Sequence, residues 1–129
     1  MTRQTPVHFL PGLEQAAMIQ SGKLSPIDLA QQSLDQIERT DQSLNAWIQV
    51  EPELVMAEAR QAEKDIAAGQ YRGVLHGLTF GVKDQMHANG FLTSLGTRVL
   101  DPEEILAGEQ ATIVTRLREA GAILIGKQN

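Results

Sequence analysis

The chain has 129 residues, 42% of them hydrophobic and 21% charged, with a formal net charge of -5. This is one domain's worth of sequence with enough apolar content for a core, which excludes a disordered polyelectrolyte. The acidic balance and the few aromatics (one Trp, one Tyr, three Phe) argue against nucleic-acid binding and membrane attraction, and the lack of cysteine excludes disulfides, thiol nucleophiles and cysteine metal sites.

Residues 1 to 11 read as a loose lead-in ended by Pro11-Gly12. It leads into no long apolar region and no run approaches membrane-spanning length, so neither a signal peptide nor a membrane span is expected, and the default location is cytoplasmic. Leu13, Ala16 and Ala17 fall on one helical face, with Gly22 as a stop. Ser25 as N-cap, Pro26 at the first helical position and Asp28 near the positive end predict a helix to about Thr40. Ile27, Ala30, Leu34 and Ile37 line its packing face, and Asp41-Gln42-Ser43 breaks it. Leu44 to Val50 reads as a short strand, with Ala46, Ile48 and Val50 on one face and Trp47 on the other as a packing residue.

Pro52 opens a further helix with the stripe Val55, Ala59, Ala62 and Ile66, ended by Gly69. Glu58, Arg60, Glu63, Lys64 and Asp65 are expected on its solvated face. Leu78 to Val82 reads as the second strand, with Lys83 at its carboxyl end. From Asp84 to about Gly108 there is little helical periodicity; Asn89-Gly90 marks a turn, and Gly96 and Pro102 are further breakers. A connection this long is often functional, and this one begins at the lysine. A helix over about 110–120 carries Ile113, Val114, Leu117 and Ala120, and Gly121 fits a left-handed stop. The continuous apolar run Ala122-Ile123-Leu124-Ile125 suits a strand covered on both faces.

Strand, helix and strand over 78–125 form a βαβ unit, for which parallel strands and a right-handed crossover are expected. Ligands of such sheets sit beyond the carboxyl ends of the strands, where Lys83 and Gly126-Lys127-Gln128-Asn129 both fall. The sequence stops directly after a buried strand with an open sheet edge, so the chain is expected to be the front part of a larger domain, with association of copies through that edge as one outcome.

Gly121 to Lys127 has the G-x-x-x-x-G-K spacing of a phosphate-binding loop. The four intervening residues are apolar, Gln128 stands where Ser or Thr should bind Mg²⁺, and the order of strand and helix is wrong, so nucleotide binding is not expected. His8, His76 and His87 have no metal-ligand spacing, and no cofactor or metal is expected. No Gly-x-Ser-x-Gly elbow occurs; Ser94 lies in the long loop, where a turn or hydrogen-bonding role is favoured over a nucleophile. Lys83 has two readings. It is a strand-end lysine that snorkels or pairs with Asp84 or another carboxylate, or it is a mostly buried lysine whose neutral amine serves as a base toward a hydroxyl. Spacing does not choose between them.

Three segments tip that balance: Leu75-His76-Gly77-Leu78-Thr79-Phe80-Gly81-Val82-Lys83-Asp84, then Gly90-Phe91-Leu92-Thr93-Ser94, then Ala111-Thr112-Ile113-Val114 through Arg116 to Asn129. Their order and spacing resemble the opening part of the amidase signature family, and Ser21-Gly22-Lys23-Leu24-Ser25 and Leu44-Asn45-Ala46-Trp47 are similar to its N-terminal region. The resemblance implies an α/β fold with a mixed central sheet, a helical lead-in and one strand over 1–70, and a strand–loop–helix–strand bearing the lysine motif over 71–129, together a partial amidase domain. It implies an amide-bond hydrolase of the Ser–cis-Ser–Lys type acting on a small amide, with Lys83 as the catalytic lysine. The Gly/Ser-rich segment bearing both serines is missing, so the chain is expected to be inactive alone. The alternatives are a non-catalytic remnant or binding module with the same packing, and one subunit of an amidotransferase for glutaminyl or asparaginyl tRNA precursors. Thr79, Gln85, Gln110 and Gln128 depart from the family's usual proline, asparagine, aspartate and threonine.

Overall fold

The structure, a computed structural model, describes residues 5–99 and 109–129. Pro102 and part of the long connection lie outside the described residues. After a 3-10 turn at Val7–Phe9, the elements run α1 (Gly12–Gln20), α2 (Pro26–Leu44), β1 (Trp47–Val50), α3 (Pro52–Ala67), β2 (Thr79–Lys83), α4 (Thr112–Glu119) and β3 (Ile123–Gln128).

Local chemistry sets most boundaries. Ser25 Oγ accepts from the backbone N–H groups of Ile27 and Asp28 at 3.0 and 3.4 Å, which caps α2 with Pro26 in its first turn. The helix continues to Leu44 rather than ending near Thr40, and closes on Asn45 in the left-handed region at φ 51°. Asp41 does not break it. Its carboxylate accepts from the N–H groups of Ala46 and Trp47 at 2.8 and 3.1 Å, so it holds the chain leaving the helix. In α1 the buried face is Gln15, Ala16 and Ile19, while Leu13 and Ala17 are exposed. The Gln15 amide donates to the carbonyls of Val7 and Leu10, tying the helix to the lead-in and turning that face inward.

The described sheet has three strands in the order β1-β3-β2; β3 is parallel to β2 and antiparallel to β1, a mixed sheet. The parallel pair joined through α4 is the expected βαβ unit. Each pairing contains an irregularity. In β1 it falls between Trp47 and Gln49, which leaves Ile48 exposed and lets Trp47 and Val50 pack on the same core. The expected face of Ala46, Ile48 and Val50 is therefore not formed. In β3, Phe80 pairs with Leu124 but Gly81 pairs with Gly126, so Ile125 is the extra residue.

Two cores flank the sheet. Ala30 of α2 and Val55, Ala59 and Ala62 of α3 pack on Ile123 and Ile125. Val82, Ala88, Phe91, Val114 and Leu124 form the other, under α4 and the loop after β2. The α3 stripe is as expected, and its solvated face is formed in part: Arg60 and Lys64 are exposed, but Asp65 is buried in an ion pair with Arg72 at 2.6 Å, and half-buried Glu58 pairs with Arg118 at 2.8 Å. In α4 only Val114 of the expected stripe is fully buried, and Ile113 is exposed.

Candidate active site

The loop after β2 builds the site. Lys83 pairs with Gln128 at the carboxyl ends of the two parallel strands, the edge at which ligands of such sheets bind. Val82 faces the loop-side core, so the alternation of a strand sends Lys83 the other way and returns Asp84 to the loop side. Accordingly Asp84 is buried and Lys83 is exposed, not mostly buried as the base reading of it expects, because strand alternation turns it away from the loop-side core. Among the described residues Lys83 makes no ion pair. The buried lysine at this edge is Lys127.

Lys127 has no exposed surface. Its Nζ donates to Thr93 Oγ1 at 2.8 Å and to the Leu92 carbonyl at 3.1 Å, and lies 3.3 Å from Asp84 Oδ1. Asp84 also accepts from the Ser94 backbone N–H, at 3.2 and 3.1 Å to its two oxygens, and from the Ser94 hydroxyl. Its own backbone N–H donates to the Gln128 carbonyl at 2.8 Å, and its carbonyl accepts from Leu95 N–H at 3.2 Å. The extra residue at Ile125 makes this network: it shifts the phase of β3, so that Lys127 sits opposite Val82 and faces the loop rather than the helices.

Burial works against charge on both partners. Desolvation is the largest influence on Asp84 and would raise its pKa. The hydrogen bonds from Ser94 and Lys127, with the Lys127 charge, outweigh it and hold the carboxyl below its usual range. Desolvation is also the largest influence on Lys127 and lowers its pKa against the pull of Asp84. The pair is thus a buried, hydrogen-bonded ion pair that fixes the backbone beside Lys83.

Sequence reasoning leaves Lys127 out of the site, because its Gly-Lys spacing suggests only a phosphate loop. The structure disposes of that motif: Gly126 and Lys127 lie within β3. The signal that finds Lys127 is a lysine following four apolar residues of a strand buried on both faces, which has to meet a buried carboxylate. Ser94 takes the hydrogen-bonding role, its hydroxyl donating to Asp84 and accepting from Gly96 N–H at 3.3 Å. The turn at Asn89-Gly90 is formed, with Phe91 N–H donating to the Ala88 carbonyl at 3.0 Å and Gly90 at φ +89°. No group of His, Asp or Glu suited to a metal ion occurs among the described residues. No helix among them is long and apolar enough to cross a membrane.

At the opposite end of the strands, Asp65, Arg72, His76 and Arg118 line a cavity of about 210 Å³. His76 Nδ1 accepts from the Arg72 backbone N–H at 3.0 Å, and its ring is buried against Gly121. Burial, then the Arg72 charge, lowers the His76 pKa, with Asp65 opposing.

Comparison with known proteins places this geometry. A family model described as amidase matches residues 28–129. The Mycobacterium tuberculosis protein AmiD, a putative amidase by name, is 40% identical over 114 residues, 88% of this chain and 24% of that protein. One subunit of the glutamyl-tRNA(Gln) amidotransferase of Lachnospira eligens is 34% identical over 117 residues, 91% of this chain and 24% of that protein. The crystal structure of the peptide amidase from Stenotrophomonas maltophilia superposes with a TM-score of 0.87 at 31% identity, covering 96% of this chain and 25% of that one. The chain thus spans about a quarter of the length of the relatives it matches. In both sequence and fold, it belongs to the amidase signature family.

Proposed function

We propose that the chain is the N-terminal portion of an amide-bond hydrolase working through a Ser–cis-Ser–Lys triad, a partial amidase domain over 1–129 in which Lys83 is the catalytic lysine. The observation that carries this reading is the place of Lys83 at the carboxyl end of β2, with its neighbouring carboxylate drawn away into the protein; the burial that the base reading calls for is absent in this chain and, in this reading, comes from the serine-bearing segment. In this reading the Lys83 amine takes a proton through the bridging serine, which frees the nucleophilic serine to attack the amide carbon. The tetrahedral oxyanion is held by backbone N–H groups near that serine. The C–N bond then breaks, the leaving amine takes the proton, and water hydrolyses the acyl-enzyme. The substrate class is a small amide. Both serines and the oxyanion amides belong to a Gly/Ser-rich segment of which this sequence contains none.

The chain alone therefore turns over no amide. Purified residues 1–129 assayed with simple and amino-acid amides are expected to release no ammonia, and turnover lost on Lys83→Ala would overturn that statement. In a polypeptide joining this segment to the serine-bearing one, Lys83→Ala is expected to lower kcat/KM by about 10³-fold or more, the scale of a lost triad member. Retained turnover would favour the remnant reading. The kinship to one subunit of a tRNA-dependent amidotransferase favours a second reading, glutamine amide cleavage coupled to ammonia transfer. Ammonia release dependent on a charged tRNA would select it, and release from free amides would select the hydrolase.

A further inference from the structure

Lys83 and Asp84 are adjacent in sequence; strand alternation starts them on opposite sides, but Asp84 lies just past the end of β2, where a carboxylate free to turn back to the neighbouring ammonium would form an ion pair that opposes loss of its proton. Here that pair is not formed. Asp84 turns inward and is taken up by Lys127 Nζ at 3.3 Å and by the N–H and hydroxyl of Ser94, while Lys83 is left exposed. We propose that Lys127 is a positioning residue that decouples Lys83 from its own neighbour, holding the Asp84 carboxylate inside the fold so that the Lys83 amine stays available for proton exchange. This rests on the reading of Lys83 as the proton-handling group.

Packing alone does not account for the arrangement. A buried ion pair is generally no more stabilising than apolar residues of the same volume, because both charges must be desolvated. Two further features serve this pair. The extra residue at Ile125 turns Lys127 to the loop face, and Thr93 and Leu92 supply acceptors for the rest of its ammonium. The loop from Asp84 to Ser94 is thereby drawn around the carboxylate, with Lys83 left exposed at the end of β2 that precedes it.

The test measures amine availability at Lys83 directly, by trace acylation of the folded chain with acetic anhydride near pH 8 and peptide mapping of each lysine. Wild type is expected to acylate at Lys83 and to protect Lys127. In Lys127→Met the released Asp84 turns toward Lys83, and acylation of Lys83 is expected to slow by about two- to fivefold, the range set by an exposed ion pair. The double variant Asp84→Asn/Lys127→Met, which buries no charge, is expected to restore the wild-type rate. An unchanged Lys83 rate in a folded Lys127→Met overturns the proposal. So does a double variant acylated at Lys83 more than about twofold faster than wild type, since Asp84 would then already act on Lys83. Should Lys127→Met not fold, the double variant decides the matter: the wild-type rate upholds decoupling and a faster rate sinks it. None of these readings needs amide turnover. Full activity of Lys83→Ala in the serine-bearing polypeptide would remove the catalytic reading and leave the decoupling standing.

Discussion

Lys83 and Lys127 end neighbouring parallel strands, yet their surroundings are opposite. Lys127 is wholly buried with an ion pair and two hydrogen bonds, whereas Lys83 is exposed. Their substitutions should therefore differ in kind. Lys127→Ala leaves Asp84 buried and unpaired, and is expected to cost about 3–5 kcal/mol of stability. Lys83→Ala should stay within about 0.5 kcal/mol of wild type, as a surface substitution does. Urea denaturation midpoints of the two variants measure this, and equal losses would contradict the assignment of burial. The sequence announces a lysine at the edge of a buried strand in both places. Which one is inside depends on strand phase, and one extra residue in β3 reverses it.

At the scale of elements, the helices are readable because capping and periodicity are local. Ser25 and Pro26 start α2 as expected, and Val55, Ala59 and Ala62 point from α3 into the core. The misreadings share a cause. Asp41 extends α2 through hydrogen bonds to residues that follow it, and Asp65 is buried by Arg72 from the next connector. Both depend on partners outside the element. The stop of α4 is more demanding than a propensity. Gly121 has φ +86°, and a Cβ there would lie 2.3 Å from the His76 ring. Gly121→Ala is expected to cost more than about 1 kcal/mol, from the left-handed backbone and the displaced imidazole together. A thermal midpoint equal to wild type would show that the connector gives way freely.

For the whole molecule, the two ends of the sheet carry different chemistry. The carboxyl edge holds Lys83 and the Asp84–Lys127 pair, and the amino edge holds the Asp65–Arg72 pair and the buried His76. Three of these groups make stability fall with acid. His76 has a folded pKa lowered chiefly by burial. Its contribution is present above the unfolded value of about 6.5 and is lost as pH falls, because the unfolded chain then binds the proton more readily. Asp84 and Asp65 are also lowered. Asp84 is lowered by its hydrogen bonds and Lys127 against desolvation, and Asp65 by the Gln61 hydrogen bond first and by Arg72, again against desolvation. Their contributions are lost below about 4. Stability measured from pH 7 downward should fall in two stages, and His76→Gln should flatten the first. A profile level from pH 7 to pH 5 would contradict the buried neutral imidazole.

The sequence by itself determined the α/β class, the helices and most of their packing faces, the parallel βαβ unit and the edge at which Lys83 stands. These follow from periodicity, caps and turn residues that act over a few positions. It also pointed to the kinship, since the lysine motif, the loop residues up to Ser94 and the final strand resemble that family in order and spacing, and the family model matches residues 28–129. Only the tertiary structure decided which lysine is buried, where Asp84 turns and what Ser94 binds. Those outcomes rest on the phase of β3 against β2 and on loop residues brought together across more than thirty positions, as Lys127 with Thr93. A buried charge is placed by its partner, and the partner is named only when the chain has folded.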